Sequence, residues 1–315
     1  MIVLSGGKTG GHIMPLIALA KKMKDVCYVG AYDSLEEKLS KSHGLSFIGL
    51  PLKNNHILSI LRCFFKLKLK HVDAVIATGG YVSFPVLLYA VVHRIPIYLL
   101  EENVILGRTI KFFSHFAKKV FLAYPLQKMK KKYQVVGIPT LTNDLSYSRY
   151  RNYSFDVLIL GGSLGSKPLC SLVHQLKKEY RVGLVAGRYY EDYQEIKGVT
   201  VFPYVEDLPN LMLQAKLIIS RSGASTTYEI FTLGKPCILI PSMKTAQNHQ
   251  YLNTIYFEQQ GCCRFLKETE AEENVLPMVR LMLGDKEAID KMRKCQDALV
   301  KKDSCTKIIE EVERT

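Results

Sequence analysis

The sequence predicts two Rossmann-like α/β units with parallel sheets facing across a cleft, followed by a helical C-terminal tail. Three observations carry this. Short β-branched runs alternate with helix-length amphipathic stretches from end to end. The strand runs are apolar throughout, as in parallel sheets covered on both faces, and do not alternate as half-exposed strands do. The pattern stops at a polar stretch, TLTNDLSYSRYRNYS at 140–154, and then restarts. A chain of 315 residues is long enough for two cores of ordinary size.

In chain order, the first half offers strands at IVLS (2–5), CYVGA (27–31), LSFIGL (45–50), AVIAT (74–78), PIYLL (96–100), VFLA (120–123) and QVVG (134–137). Helical spacing of apolar residues fills 13–23 and 81–92 between them. The second half offers VLILGG (157–162), VGLVAG (182–187), VTVFPY (199–204), LIIS (217–220) and PCILIP (236–241), and the tail from 268 to 315 reads as helix. The expected divisions are a first unit over 1–142, a linker over 143–153, a second unit over 154–298, and a closing helix over 299–315 packed back on the first unit.

Apolar residues at 48% and charged residues at 23% are those of a folded globular chain and exclude collagen-like and disordered classes. The net charge of +14 is unevenly placed. Residues 1–150 hold 21 Lys and Arg against 8 Asp and Glu, whereas residues 151–315 hold 22 against 21. The first half therefore expects an anionic partner: lipid headgroups, nucleic acid or a phosphorylated substrate. None of the eight cysteines forms a CxxC pair or stands at zinc-ligand spacing from a histidine, so a reduced, cytosolic chain without a metal site is expected. The opening MIVLSGG reads as strand and turn, so no signal peptide is expected. The apolar run at 84–100 is broken by His93, Arg94 and Pro96 and is too short to span a bilayer.

Each unit opens with a strand running into glycine: IVLSGGKTGGHIMP at 2–15 and VLILGGSLGSKPL at 157–169. Such turns bring backbone N–H groups and a helix N-terminus to an anion, or simply cap a helix. Neither is a Walker A loop or a clean GxGxxG, and no acidic residue ends the second strand as an NAD ribose requires. A third turn, IISRSGASTTYEI at 218–230, places Ser222, Ser225 and Thr226 at a helix start. These hydroxyls either cap the helix or hold a diphosphate. Glu229, one turn on, either accepts ribose hydroxyls or faces water.

The segment HILSILRCFFKLKLK at 56–70 sets Ile57, Leu58, Leu61, Phe64 and Phe65 beside Arg62, Lys66, Lys68 and Lys70. An apolar stripe with a basic flank suits an anionic membrane surface, and a buried helix with solvated ends gives the same pattern. The charge asymmetry favours the membrane, with Ile57, Leu61, Phe64, Phe65, Lys66 and Lys68 as contacts. A second basic cluster, KMKKKY at 128–133, lies in the same half.

Six motifs stand in order along the chain: GGKTGGHIMP (6–15), GGYVSFP (79–85), EEN (101–103), GGSLGS (161–166), RSGASTTYE (221–229) and NHQYLN (248–253). In order and approximate spacing they resemble the MurG family of GT-B glycosyltransferases, over essentially the whole chain. That family moves N-acetylglucosamine from UDP-GlcNAc onto lipid I to make lipid II. The resemblance implies roles position by position. Thr9, Gly10 and Gly11 would lie at the donor sugar and acceptor diphosphate, and His12 would be the general base. Gly79, Gly80 and Tyr81 would form the acceptor side, and Asn103 would contact the donor sugar. Ser163 and the turn of Ser222, Gly223, Ala224, Ser225 and Thr226 would hold the UDP diphosphate. Val205 would flank the uracil, Glu229 would take the ribose, and Gln250 and Asn253 would hold sugar hydroxyls.

The chain departs from the family pattern at four points. Leu141 stands where an arginine is common, the family's His-Glu-Gln-Asn box reads Leu100–Glu101–Glu102–Asn103, Lys8 replaces a small residue, and the chain is somewhat short.

The implied reaction is a single displacement with inversion, in which the acceptor hydroxyl attacks the anomeric carbon of an α-linked UDP-sugar. His12 suits the base because imidazole titrates near neutral pH, and Glu101 is the reserve. No isolated DxD is present, so helix N-termini and backbone N–H groups are expected to meet the leaving diphosphate, with no metal and no cofactor. The expected partners are UDP-GlcNAc, lipid I and an anionic membrane, at the cytoplasmic side of the inner membrane. Rival readings are a GT-B enzyme with another lipid or polyprenyl-linked acceptor, a UDP-GlcNAc epimerase, or a basic nucleic-acid-binding protein. The last lacks any recognised module, and nucleic acid is not expected as a partner.

Overall fold

The computed structural model describes residues 1–7, 9–52, 57–141, 150–162, 165–243 and 245–314, less the side chains of Ile57 and Ala246. Ser163, Lys8 and most of the expected linker lie outside that set. The chain divides into two compact units, Met1–Leu141 with Lys301–Thr315, and Thr142–Val300.

The first unit runs β1 (Ile2–Gly6), α1 (Gly10–Ala20), β2 (Val26–Ala31), α2 (Leu35–Ser42), β3 (Ser46–Leu50), α3 (Ile57–Lys66), β4 (Ala74–Gly79), α4 (Gly80–Val92), β5 (Ile97–Glu101), α5 (Arg108–Phe113), β6 (Lys119–Leu122) and β7 (Tyr133–Val135). All seven strands pair in parallel, in the order β3-β2-β1-β4-β5-β6-β7. Successive strand residues face opposite sides of the sheet, and both sides are buried. Val3, Val75, Leu99 and Val120 join one core with α3, α4 and α5. Their neighbours Leu4, Ile76, Tyr98 and Phe121 join the other with α1. This double burial explains why the strands read as continuous apolar runs.

The second unit runs β8 (Phe155–Leu160), α6 (Lys167–Ser171), α7 (Val173–Leu176), β9 (Val182–Val185), α8 (Tyr190–Tyr193), β10 (Val199–Phe202), α9 (Leu208–Leu213), β11 (Ala215–Ser220), α10 (Ala224–Thr232), β12 (Cys237–Leu239), α11 (His249–Gln259), β13 (Arg264–Phe265), α12 (Ala271–Gly284) and α13 (Lys286–Leu299). Its parallel sheet has the order β10-β9-β8-β11-β12-β13. The two-residue β13 gave no sequence signal because it is too short for a pattern to repeat. The eight cysteines are free thiols.

The last helix, α14 (Ser304–Glu313), belongs to the first unit. Cys305, Ile308 and Val312 enter the core beside α1, and Ile308 and Val312 each contribute about 1.5–3 kcal/mol by burial. Ser304 Oγ donates to the Val136 carbonyl at 2.7 Å, and Lys119 Nζ pairs with Glu311 Oε1 at 3.2 Å. Leu141 packs half-buried against the same core, so an aliphatic side chain occupies the position where a cation is common in the resembled family.

Candidate active site

Strand order reverses between β1 and β4 in the first unit and between β8 and β11 in the second. A parallel sheet opens a ligand crevice at such a reversal, beyond the carboxyl ends of its strands. The glycine turns read from the sequence lie at these two places.

In the first unit the turn after β1 is tightly built. A Cβ on Gly6 would stand 2.0 Å from Thr78 Oγ1, and the Thr78 hydroxyl donates to the His12 carbonyl at 2.7 Å. Only glycine allows β1, β4 and the start of α1 to approach so closely. Thr9 occupies the N-cap of α1 without a side-chain capping bond, and Gly10, Gly11 and His12 form its first turn. Gly79, at φ +90°, and Gly80 start α4 and bring Tyr81 into its first turn. Tyr81 is half-buried, and burial first and the charge of Glu36 second raise its phenol above the usual range.

His12 is 29% exposed, and its Nδ1 lies 3.9 Å from Glu102 Oε2, whose side chain is 2% exposed. Glu101, the reserve base in the sequence reading, is committed elsewhere. It is 3% exposed. Its Oε1 accepts from the Asn103 backbone N–H at 3.0 Å and from Asn103 Nδ2 at 2.9 Å, and its Oε2 accepts from the Gly107 N–H at 2.6 Å. Burial raises its carboxyl above the usual range, against the lowering effect of these bonds. Glu101 is a clamp that shapes the loop after β5, and the amide of Asn103 is part of that clamp.

In the second unit, Gly161 and Gly162 follow β8, and α10 begins after Gly223 with no side-chain cap. A Cβ on Gly223 would meet nothing within 4 Å. The N-cap position of α10 is therefore open on that side, and a helix N-terminus is where an anion would be seated. Ala224 and Ser225 are buried, and Thr226 is half-buried. Ser222 faces inward. Its side chain is fully buried and its hydroxyl pairs with Thr254 Oγ1 of α11. The α11 amides are also engaged in the interior. Gln250 Oε1 accepts from the Ser242 N–H at 2.9 Å, and Asn253 is completely buried.

Arg221 joins the turns of this unit. Its guanidinium donates to Ser166 Oγ at 2.7 Å and to the Ile240 carbonyl at 3.1 Å, and it pairs with the Glu268 carboxylate. Glu229 is half-buried and has no ion-pair partner among the described residues. Burial pushes its carboxyl up to about 7. Val205 is buried, whereas its neighbour Tyr204 is 57% exposed, and burial first, the charge of Glu206 second and that of Glu229 third raise its phenol above the usual range. An exposed aromatic beside the ribose candidate suits a base-stacking role, which the sequence reading missed. Its signal was an aromatic placed just beyond a strand end.

The amphipathic segment forms α3. Leu58 and Phe65 are 78% and 77% exposed, and Leu61, Arg62, Lys66 and Lys68 are exposed with them. Phe64 is only half available, because its ring packs edge-on against Tyr89 of α4 at 6.4 Å. Of Ile57, the side chain lies outside the described residues. Phe112 and Phe116 add further exposed aromatic surface to the same unit.

Comparison with known proteins agrees with this architecture. Residues 2–122 match the glycosyltransferase family 28 N-terminal domain, and residues 156–312 match its C-terminal domain. A UDP-N-acetylglucosamine–N-acetylmuramyl-(pentapeptide) pyrophosphoryl-undecaprenol N-acetylglucosamine transferase of Lacticaseibacillus casei is 32% identical over 98% of this chain and 96% of its own. The enzyme of the same name from Sulfurihydrogenibium sp. is 31% identical over 87% of each chain. The crystal structure of Acinetobacter baumannii MurG superposes with a TM-score of 0.81 at 24% identity, over 100% of this chain and 99% of that one.

Proposed function

The chain belongs to glycosyltransferase family 28, and we propose that it moves N-acetylglucosamine from UDP-GlcNAc to the MurNAc C4 hydroxyl of undecaprenyl-pyrophosphoryl-MurNAc-pentapeptide (lipid I), forming lipid II. The observation that carries this reading is kinship, at 30% identity or more and over 98% of the chain, with enzymes named for that transfer. Chemically, the bond between the sugar's anomeric carbon and UDP breaks as the acceptor oxygen bonds to the opposite face. The acceptor's proton passes to His12. Negative charge grows on the departing diphosphate, and the open N-terminus of α10 offers fixed N–H donors to meet it. Glu229 takes the ribose and Tyr204 the uracil. Turnover needs no cofactor and no divalent cation.

The test is UDP release by the purified chain in EDTA, with UDP-GlcNAc and with or without a short-chain lipid I analogue. Release that requires the analogue is the expected result. Release without any acceptor would point to hydrolysis or epimerisation, and activity only after magnesium is added would overturn the metal-free account.

An acceptor with an undecaprenyl chain is held in a bilayer, so the enzyme must work at a membrane surface. No described helix is long and apolar enough to cross one. We propose that α3 lies on the anionic cytoplasmic face of the inner membrane, with Leu58, Leu61 and Phe65 in the headgroup region and Arg62, Lys66 and Lys68 on phosphates. Replacing Leu58 and Phe65 with serine is expected to weaken binding to phosphatidylglycerol vesicles by about tenfold or more. Because both side chains face outward, thermal stability should hold. Unchanged sedimentation with vesicles would remove α3 as the anchor.

A further inference from the structure

We propose that Glu102 is the positioning carboxylate of His12: it holds the Nδ1–H tautomer, leaves Nε2 for the acceptor hydroxyl, and stabilises the imidazolium formed when the proton arrives. This inference rests on the transferase reading and assigns a role to a residue that the sequence reading left without one.

The geometry supplies the argument. Glu102 Oε2 and His12 Nδ1 stand 3.9 Å apart, an ion-pair distance about 1 Å longer than a hydrogen bond. Catalytic hydrogen bonds are often long before substrate arrives and tighten in the complex. Both partners are held from behind. The Thr78 hydroxyl fixes the His12 carbonyl, and the packing of Gly6 against Thr78 fixes the start of α1. Glu102 sits between the fixed points of the Glu101 clamp, whose carboxylate binds the N–H groups of Asn103 and Gly107. The backbone of Glu102 is thereby restrained, and its side chain is buried beside His12.

The charge logic is consistent. In the transfer, the O–H bond of the acceptor breaks, an N–H bond forms at Nε2, and the positive charge spreads to the side of the ring that faces Glu102. Glu102 stays ionised throughout and takes no proton. An imidazole with a carboxylate at Nδ1 is both oriented and made more basic. Among the described residues, the titratable groups near the pair include Glu36 of α2, whose carboxylate lies against Gly7, Tyr28 of β2, which donates to the Gly6 carbonyl at 2.7 Å, Tyr81 of α4, and Glu101 of β5. Tyr28 registers both acids: after burial, the charges of Glu36 and Glu102 hold its phenol well above the usual range.

The experiment compares wild type, Glu102→Gln and Glu102→Asp in acceptor-dependent UDP release across pH 5–9, with UDP binding measured alongside. Glutamine keeps the shape and removes the charge. The expected result is a kcat lower by about 10–100-fold, an unchanged KM for UDP-GlcNAc, an acidic limb displaced to lower pH, and partial recovery with aspartate. A Glu102→Gln enzyme with wild-type kcat and an unmoved acidic limb overturns the proposal. If wild type itself shows no acceptor-dependent release, the transferase reading falls first. Should Glu102→Gln not fold, 15N-imidazole spectra of the wild-type chain decide: an Nδ1–H tautomer at His12 supports the pair, and an Nε2–H tautomer refutes it.

Discussion

Replacing His12 with alanine is expected to lower kcat for acceptor-dependent UDP release by about 10²–10⁴-fold, the usual contribution of a positioned general base. In free energy this is roughly 3–5 kcal/mol of barrier height. The fold should not suffer. His12 lies in the first turn of α1 with its ring partly in solvent, and alanine is the better helix former. Donor binding should also persist, because the residues assigned to UDP belong to the second unit. The measurement is kcat by UDP release together with the Kd for UDP by calorimetry. A loss of kcat with an intact Kd separates chemistry from binding. A kcat within tenfold of wild type would mean that another group takes the proton. Glu101 is a poor substitute, since both of its oxygens are occupied by the loop it shapes.

The contrast between Glu101 and Glu102 shows where sequence reading stops. Strand and helix alternation was legible because the two faces of each sheet are both buried, which writes itself into the chain as apolar runs. The glycine turns were legible because a parallel sheet puts its ligand crevice after the strands that flank an order reversal. Adjacent residues at a strand end, however, point in opposite directions. One of two consecutive glutamates turns into its own loop and the other toward α1, and a single sequence contains nothing that chooses between them. The same limit applies to Ser222 and Gln250. Each is a plausible ligand by type, yet their side chains are bonded to Thr254 and to the backbone of Ser242. Phe64 and Phe65 are likewise equivalent in the sequence, but the fold packs one on Tyr89 and leaves the other outward. Residue type and spacing located the functional regions, and side-chain direction had to come from packing.

Replacing Glu229 with glutamine is expected to make the ligand-free chain more stable and the enzyme less active. In the folded chain, burial raises this carboxyl from an ordinary 4.5 to about 7. Below the lower value the group is protonated whether folded or unfolded, and folding costs nothing there. As pH rises between the two values the unfolded chain ionises first, so the folded state loses relative stability. Above pH 7 the loss is complete, and at pH 8 the carboxylate is a standing cost. A difference of this size corresponds to at most roughly 3 kcal/mol. Glu229 retains some solvent contact, which reduces the expected gain for Glu229→Gln to about 1–2 kcal/mol at pH 8. That gain should vanish near pH 4, and a melting series across this range tests it. The opposite effect should appear in binding. An ionised carboxylate accepting two ribose hydroxyls makes charge-assisted hydrogen bonds worth about 1.5–3 kcal/mol each, so kcat/KM for UDP-GlcNAc should fall by about 10²-fold. Wild type should also bind UDP more tightly as pH rises from 6 to 8, while the variant should not. If Glu229→Gln melted below wild type at pH 8, the buried carboxylate would have to be structural. If UDP affinity did not change, the ribose would have to be held elsewhere. A group kept in an unfavourable state until its ligand arrives makes the free protein weaker and the bound one tighter, and the two signs together distinguish a binding residue from a structural one.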